Sequence, residues 1–139
     1  MDRVVLEAKL ESLRRCVARI ESRRPASAEL LARDADAQDI VALNLTRAVQ
    51  LCVDIAAHLV SGTASAAPRT MGEAFDQLAA AGGIDAALAG RMKAAVGFRN
   101  IAVHNYQAID WQIVHRIIHE RLDDFREFAR AAASHTHLR

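Results

Sequence analysis

The sequence predicts an all-α protein, an antiparallel up-and-down bundle of about five to six helices. Three observations carry that expectation. Apolar residues recur at steps of three and four through most of the chain, the spacing of one helix face. No alternation of apolar and polar residues is long enough for a strand, and the β-branched residues are scattered. Caps and breakers (Pro25, Asp34, Thr70, Gly82-Gly83 and Asp110) divide the pattern into segments of bundle length. With 139 residues, 52% of them hydrophobic, the chain can bury one continuous core but hardly two, so 1–139 reads as one domain.

The first helix is amphipathic: Leu6, Leu10, Leu13, Val17 and Ile20 lie on one side, with Glu11, Arg14, Arg15 and Arg19 on the other. Pro25 ends it. A short segment from about Ser27 carries Leu30 and Leu31, and Asp34 or Asp36 can cap the next long helix. That third element runs from about Ala37 to Val60 on an apolar face of Val41, Leu45, Ala48, Cys52, Ile55 and Leu59. Small residues, Gly62 and Pro68 make 61–68 a loop. Thr70 and Glu73 have capping-box spacing and open a short helix with Met71, Phe75 and Leu78. After Gly82-Gly83, residues Ile84, Leu88, Met92 and Val96 mark a further helix. Asp110 then caps a last helix whose buried side is read as Ile113, Ile117, Leu122, Phe125 and Phe128, with 130–139 a frayed tail.

Composition narrows the function classes. Charged residues are 25% of the chain at a net charge of +1, which excludes both a disordered polyelectrolyte and a globally basic nucleic-acid wrapper. Any nucleic-acid contact must therefore be local. One window qualifies: between Asp85 and Asp110 there is no acidic residue, while Arg91, Lys93 and Arg99 lie inside it. Cys16 and Cys52 fall within apolar helical patterns and read as small buried hydrophobes suited to a reducing compartment. Charges interrupt the first residues, and no apolar run approaches the ~18 residues of a membrane span, so a cytoplasmic protein without membrane insertion is expected.

Within the acid-free window lie Arg99, His104 and Tyr106. Each suits phosphoryl chemistry. Arginine is a permanent, bidentate phosphate ligand that can hold the charge of a pentavalent transition state. Histidine titrates near neutral pH and can move the proton of an RNA 2′-hydroxyl without a metal or other cofactor. The spacing is awkward, because residues five apart in a helix lie about 140° apart and do not share a face. Either the helix bends or ends near Asn105, or two copies of the chain bring one Arg to the other's His.

The run Gly97-Phe98-Arg99-Asn100-Ile101-Ala102-Val103-His104-Asn105-Tyr106 resembles the signature of the HEPN superfamily, and more narrowly the Arg-x4-His-x-Tyr form of HepT-type toxins. Val53–His58 in the long helix, Thr70–Phe75 and the helix after Asp110 follow in that family's order, over roughly residues 1 to 130. The resemblance implies a homodimeric, metal-independent endoribonuclease toxin whose Arg and His line a shared cleft. It also implies an antitoxin partner, an MntA-type minimal nucleotidyltransferase that transfers AMP to the motif tyrosine. Carried over, Arg99 binds the scissile phosphate of the RNA substrate, His104 is the acid/base, Asn100 orients, and Tyr106 is the AMPylation target. An adenylylated Tyr106 would put an anionic phosphate two residues from His104, competing with RNA for Arg99.

Other polar residues carry weaker expectations. Asn44, Arg47, Leu51, Asp54 and His58 form a polar stripe beside the apolar face of the third helix, either solvated surface or a wall of the cleft or dimer axis, with Asp54 pairing His58. His115 and His119 have the spacing of a helical metal pair, but no third ligand follows locally, so packing is the favoured reading and no metal site is expected. Trp111 beside Asp110 is read as packing at a bundle end. A different class of function also stays open: a non-catalytic module of the same fold that binds RNA, nucleotide or the nucleotidyltransferase.

Overall fold

Helix α3, Ala35–Ser61, is the axis of the molecule, and α1 (Arg3–Arg23), α4 (Met71–Ala80), α5 (Ala86–His104) and α7 (Leu122–Ser134) pack around it. Helices α2 (Ala28–Arg33) and α6 (Trp111–Glu120) lie against each other at one end of the bundle. This computed structural model describes residues 3–63 and 66–134, and among them every element is helical. The all-α bundle read from the periodicity is the observed fold.

The apolar stripes become the core. Leu6, Leu10, Leu13, Val17 and Ile20 of α1 face Val41, Leu45, Ala48, Cys52 and Ile55 of α3, all buried. By length and composition α3 could cross a membrane; it is instead packed against five neighbouring helices. Phe75 of α4 and Phe128 of α7, both fully buried, meet edge to face with ring centroids 5.8 Å apart. Cys16 and Cys52 are free and buried, and burial pushes both thiols above their ordinary pKa.

Caps set the boundaries. Side-chain oxygens of Ser27, Asp34, Thr70 and Asp85 accept from the backbone N–H three residues on, opening α2, α3, α4 and α5. After α4 the chain reverses at Gly82, whose φ of 84° is a conformation glycine adopts without a Cβ clash, and the Gly83 N–H donates to the Leu78 carbonyl.

Two expectations are corrected. The final helix is two helices, separated at Arg121 (φ −123°, ψ 4°). Helix α6 buries Val114 and Ile118 at its contact with α2, whereas α7 buries Leu122, Phe125, Phe128, Ala129 and Ala132 toward α1 and α3. One straight helix cannot face both. Arg24 Nη1 donates to the Ile118 carbonyl at 2.6 Å, satisfying an acceptor that the break leaves without a helical partner. Ile113 and Ile117 are accordingly not the buried side: Ile113 is exposed and Ile117 half-buried. Second, α7 runs through Ser134 with Ala132 buried, so the tail expected from 130 is helical that far; 135–139 lie outside the described residues.

Candidate active site

Helix α5 is unbroken to His104, and Asn105 closes it with φ −152° and ψ 68°, its N–H donating to the Ile101 carbonyl at 2.8 Å. A single 3-10 turn, Tyr106–Ala108, follows, then buried Ile109, then Asp110, whose carboxylate accepts from the Gln112 and Ile113 N–H groups and starts α6. The helix thus ends near Asn105, but only after His104. Arg99 and His104 stay a helical five residues apart, about 140° around the axis. They are not joined within one chain: Arg99 is half-buried, and its side-chain hydrogen bond goes from Nη1 to the Asn100 Oδ1 at 3.1 Å, while His104 stands exposed.

The acid-free window is less cationic in space than in sequence. Arg91 pairs with Asp124 at 2.8 Å and Glu127 at 3.3 Å on α7, and those carboxylates raise its pKa. Lys93 pairs with Asp76 of α4 at 2.9 Å. Among the described residues, Arg99 is the cation of the three with no carboxylate partner, and its Nε is buried without any hydrogen-bond partner. The guanidinium thus keeps hydrogen-bonding capacity that no carboxylate among the described residues fills.

Tyr106 is held from two sides. Its ring meets the edge of Trp111 on α6, with centroids 5.9 Å apart, and its hydroxyl donates to Oδ1 of Asp39 on α3 at 2.7 Å. Burial, then the hydrogen bond to Asp39 and that carboxylate's charge, push the phenol well above its ordinary pKa. The residue as a whole is nonetheless 39% exposed. Asp39 was not singled out from sequence. It lies 67 positions from Tyr106, and no local spacing signals the contact.

The polar stripe of α3 does not converge on the motif. Tyr106 contacts α3 at Asp39, and at 1.5 Å per residue Arg47 lies about 12 Å, Asp54 about 22 Å and His58 about 28 Å further along the helix. The expected Asp54–His58 pair is absent among the described residues: Asp54 accepts from Gln50 Nε2, one turn back on α3, at 2.9 Å and faces Lys9 Nζ of α1 at 3.5 Å. Burial lowers the His58 pKa. Asn44, Arg47 and Asp54 border a groove of about 1050 Å³ between α1 and α3, with Arg15 and Arg19 on its other wall.

His115 and His119 stack with centroids 4.3 Å apart, and the His119 Nε2–H donates to the Pro25 carbonyl at 3.0 Å. The pair tethers α6 to the turn before α2. Among the described residues no three His, Cys, Asp or Glu side chains are grouped to hold a metal ion.

Comparison with known proteins extends over the whole site. Residues 13–132 match the family described as Ribonuclease HepT-like. The chain is 34% identical over 120 residues to the mRNA nuclease HepT of Shewanella oneidensis, spanning 86% of this chain and 90% of that protein. A solved toxin–antitoxin structure with AMP-PNP superposes at a TM-score of 0.88 and 30% identity, covering 95% of this chain and 99% of that one. The tri-AMPylated Shewanella oneidensis HEPN toxin in complex with its MNT antitoxin superposes at 0.87 and 31%, covering 96% and 99%.

Proposed function

Because this chain belongs to the HepT-like ribonuclease family of HEPN toxins, we propose that it is an endoribonuclease cutting RNA at Arg99 and His104 without a metal ion. The observation that carries the reading is Arg99, the one cation of an acid-free window without a carboxylate partner among the described residues, its Nε buried and unpaired. A scissile phosphate supplies the anionic partner that the Arg99 guanidinium lacks, and Asn100 restricts the guanidinium that receives it.

His104 takes the proton of the 2′-hydroxyl as that oxygen attacks the adjacent phosphorus, Arg99 holds the charge gathering on the equatorial oxygens, and the 5′-oxygen leaves with its bonding pair and takes a proton from water. The products are a 2′,3′-cyclic phosphate and a 5′-hydroxyl end. Since α5 does not present both side chains on one face, the complete site forms between two copies, the Arg99 of each opposite the His104 of the other. Leu43, Ile101 and Val103, exposed apolar residues on α3 and α5, favour such a homodimer. Arg47, with Arg15 and Arg19 on the α1–α3 groove, offers further phosphate contacts. Asp54 is engaged by Gln50 and Lys9.

Regulation follows the relative's chemistry: an MntA-type nucleotidyltransferase transfers AMP to Tyr106, the chain's one tyrosine, and the anionic adduct blocks Arg99. Incubating the purified protein with RNA in chelator, beside Arg99→Ala and His104→Ala variants, tests the cleavage. Cyclic-phosphate ends formed by the parent and reduced on the order of 10²- to 10⁴-fold in both variants are expected. Equal background cleavage by all three proteins would falsify the enzyme and leave a binding module.

A further inference from the structure

We propose that Asp39 is the general base for nucleotidyl transfer to Tyr106, so that the chain being modified supplies part of the machinery for its own modification. This rests on the reading of Tyr106 as the AMP acceptor. The geometry is specific. The phenolic proton already lies on the 2.7 Å hydrogen bond to Asp39 Oδ1, which leaves the lone pairs of Oη directed elsewhere, and the residue is partly exposed. Trp111 packs the ring from α6, so the hydroxyl is presented with its acceptor rather than swinging free.

In the step itself, an Oη lone pair attacks the α-phosphorus of a magnesium-bound adenosine triphosphate. The Oη–P bond forms while the phenolic proton passes to Asp39 Oδ1. The bond from the α-phosphorus to the bridging oxygen breaks, and pyrophosphate leaves with that electron pair. Asp39 then returns its proton to water. A base is needed because a phenol is protonated at neutral pH, the more so where burial and a nearby carboxylate raise its pKa, so the proton has to depart during attack rather than before it. Neutralisation of Asp39 at that moment also removes a negative charge from beside the forming phosphodiester.

The motif spacing gives no hint of this role, since Asp39 belongs to α3 and Tyr106 to the turn after α5. It also predicts a division within any multiple modification. The chain has one tyrosine, so a second AMP would be built on something other than a phenol and would not use Asp39.

The test is single-turnover AMP addition by the cognate MntA-type nucleotidyltransferase with MgATP, followed by intact mass and peptide mapping. Asp39→Asn keeps an acceptor for the hydroxyl and removes the basicity; Asp39→Glu restores it. The expected outcome is a first-AMP rate constant reduced on the order of 10²-fold or more in Asp39→Asn. The MgATP concentration at half-saturation and the rate of any second addition stay unchanged, and Asp39→Glu recovers part of the loss. An Asp39→Asn protein modified at the parent rate, or slowed only through weaker MgATP binding, overturns the base. A parent protein left unmodified at Tyr106 overturns the acceptor reading itself, a separate result visible before any variant is made.

Discussion

Helix α3 and the turn after α5 meet through one hydrogen bond, Tyr106 to Asp39, but they are held in place by opposite means. Helix α3 is fixed by apolar contact along its buried face: Val41, Leu45, Ala48, Cys52, Ile55 and Ala56 are fully or almost fully enclosed by the helices around it. From Asn105 to Ala108 nothing is buried. Buried Ile109, the edge of Trp111 and the carboxylates of Asp39 and Asp110 determine where that turn sits. Apolar packing is non-directional and redundant, so many sequences could satisfy it. The turn depends on a few directional contacts, each of which aims a reactive group. On the proposed reading of the site, stability and function are therefore carried by different residues.

The most severe way to probe that separation is to empty the core while sparing the site. Phe128→Ala removes the ring that meets Phe75 and should cost about 3–5 kcal/mol, a large part of a typical domain's 5–15 kcal/mol. His104→Ala, on an exposed side chain, should stay within about 0.5 kcal/mol of the parent while abolishing cleavage. Urea unfolding of both proteins checks this. A His104→Ala protein as unstable as Phe128→Ala would show that the motif is part of the scaffold.

A finer comparison uses two caps. Asp85 accepts from the Leu88 N–H at 2.7 Å to open α5, and Asp110 accepts from the Gln112 N–H at 3.0 Å to open α6. Alanine at either position should cost about 1 kcal/mol. Only Asp110 adjoins the turn that carries Tyr106, so Asp110→Ala should additionally slow RNA cleavage and AMP addition several-fold. Denaturation midpoints alongside both rates decide it; equal rate losses in the two variants would mean that cap stability, not turn geometry, controls the site.

How much of this was legible in the sequence depends on how local the cause is. The apolar stripes of α1 and α3, the caps at Ser27, Thr70 and Asp110, and the motif itself are patterns within a few turns of chain. The break at Arg121 was not legible, because the stripe from Ile113 and Ile117 through Leu122 to Phe125 and Phe128 reads as one helix until α2 and α3 claim different faces. Nor was the neutralisation of Arg91 by Asp124 and Glu127, which lie more than thirty positions away. The Asp54–His58 pairing failed for a related reason: i, i+4 spacing offered a partner, but Lys9 on α1 and Gln50 one turn back were nearer. Asp39 shows the limit most plainly, since a carboxylate in the second turn of a capped helix looks like ordinary surface until another segment's phenol lands on it.

The gentlest perturbation tests that last contact without chemistry. Because Tyr106 is the one tyrosine, an ultraviolet titration of the folded protein reports its phenol alone. Its midpoint should lie above the ordinary value of about 10. Asp39→Asn should lower that midpoint only partway, since burial is the larger cause and persists in the variant. The sign for stability follows. A folded-state pKa above the unfolded one means the native state holds its proton longer, so the contribution is fully present below the unfolded value near 10 and fades as pH rises toward the folded one. Across that alkaline window the parent should lose stability more steeply than Asp39→Asn in parallel urea melts. Coincident titration curves for the two proteins would mean that the hydroxyl does not rest on Asp39 in solution. The turn would then owe its position to Ile109 and Trp111 alone.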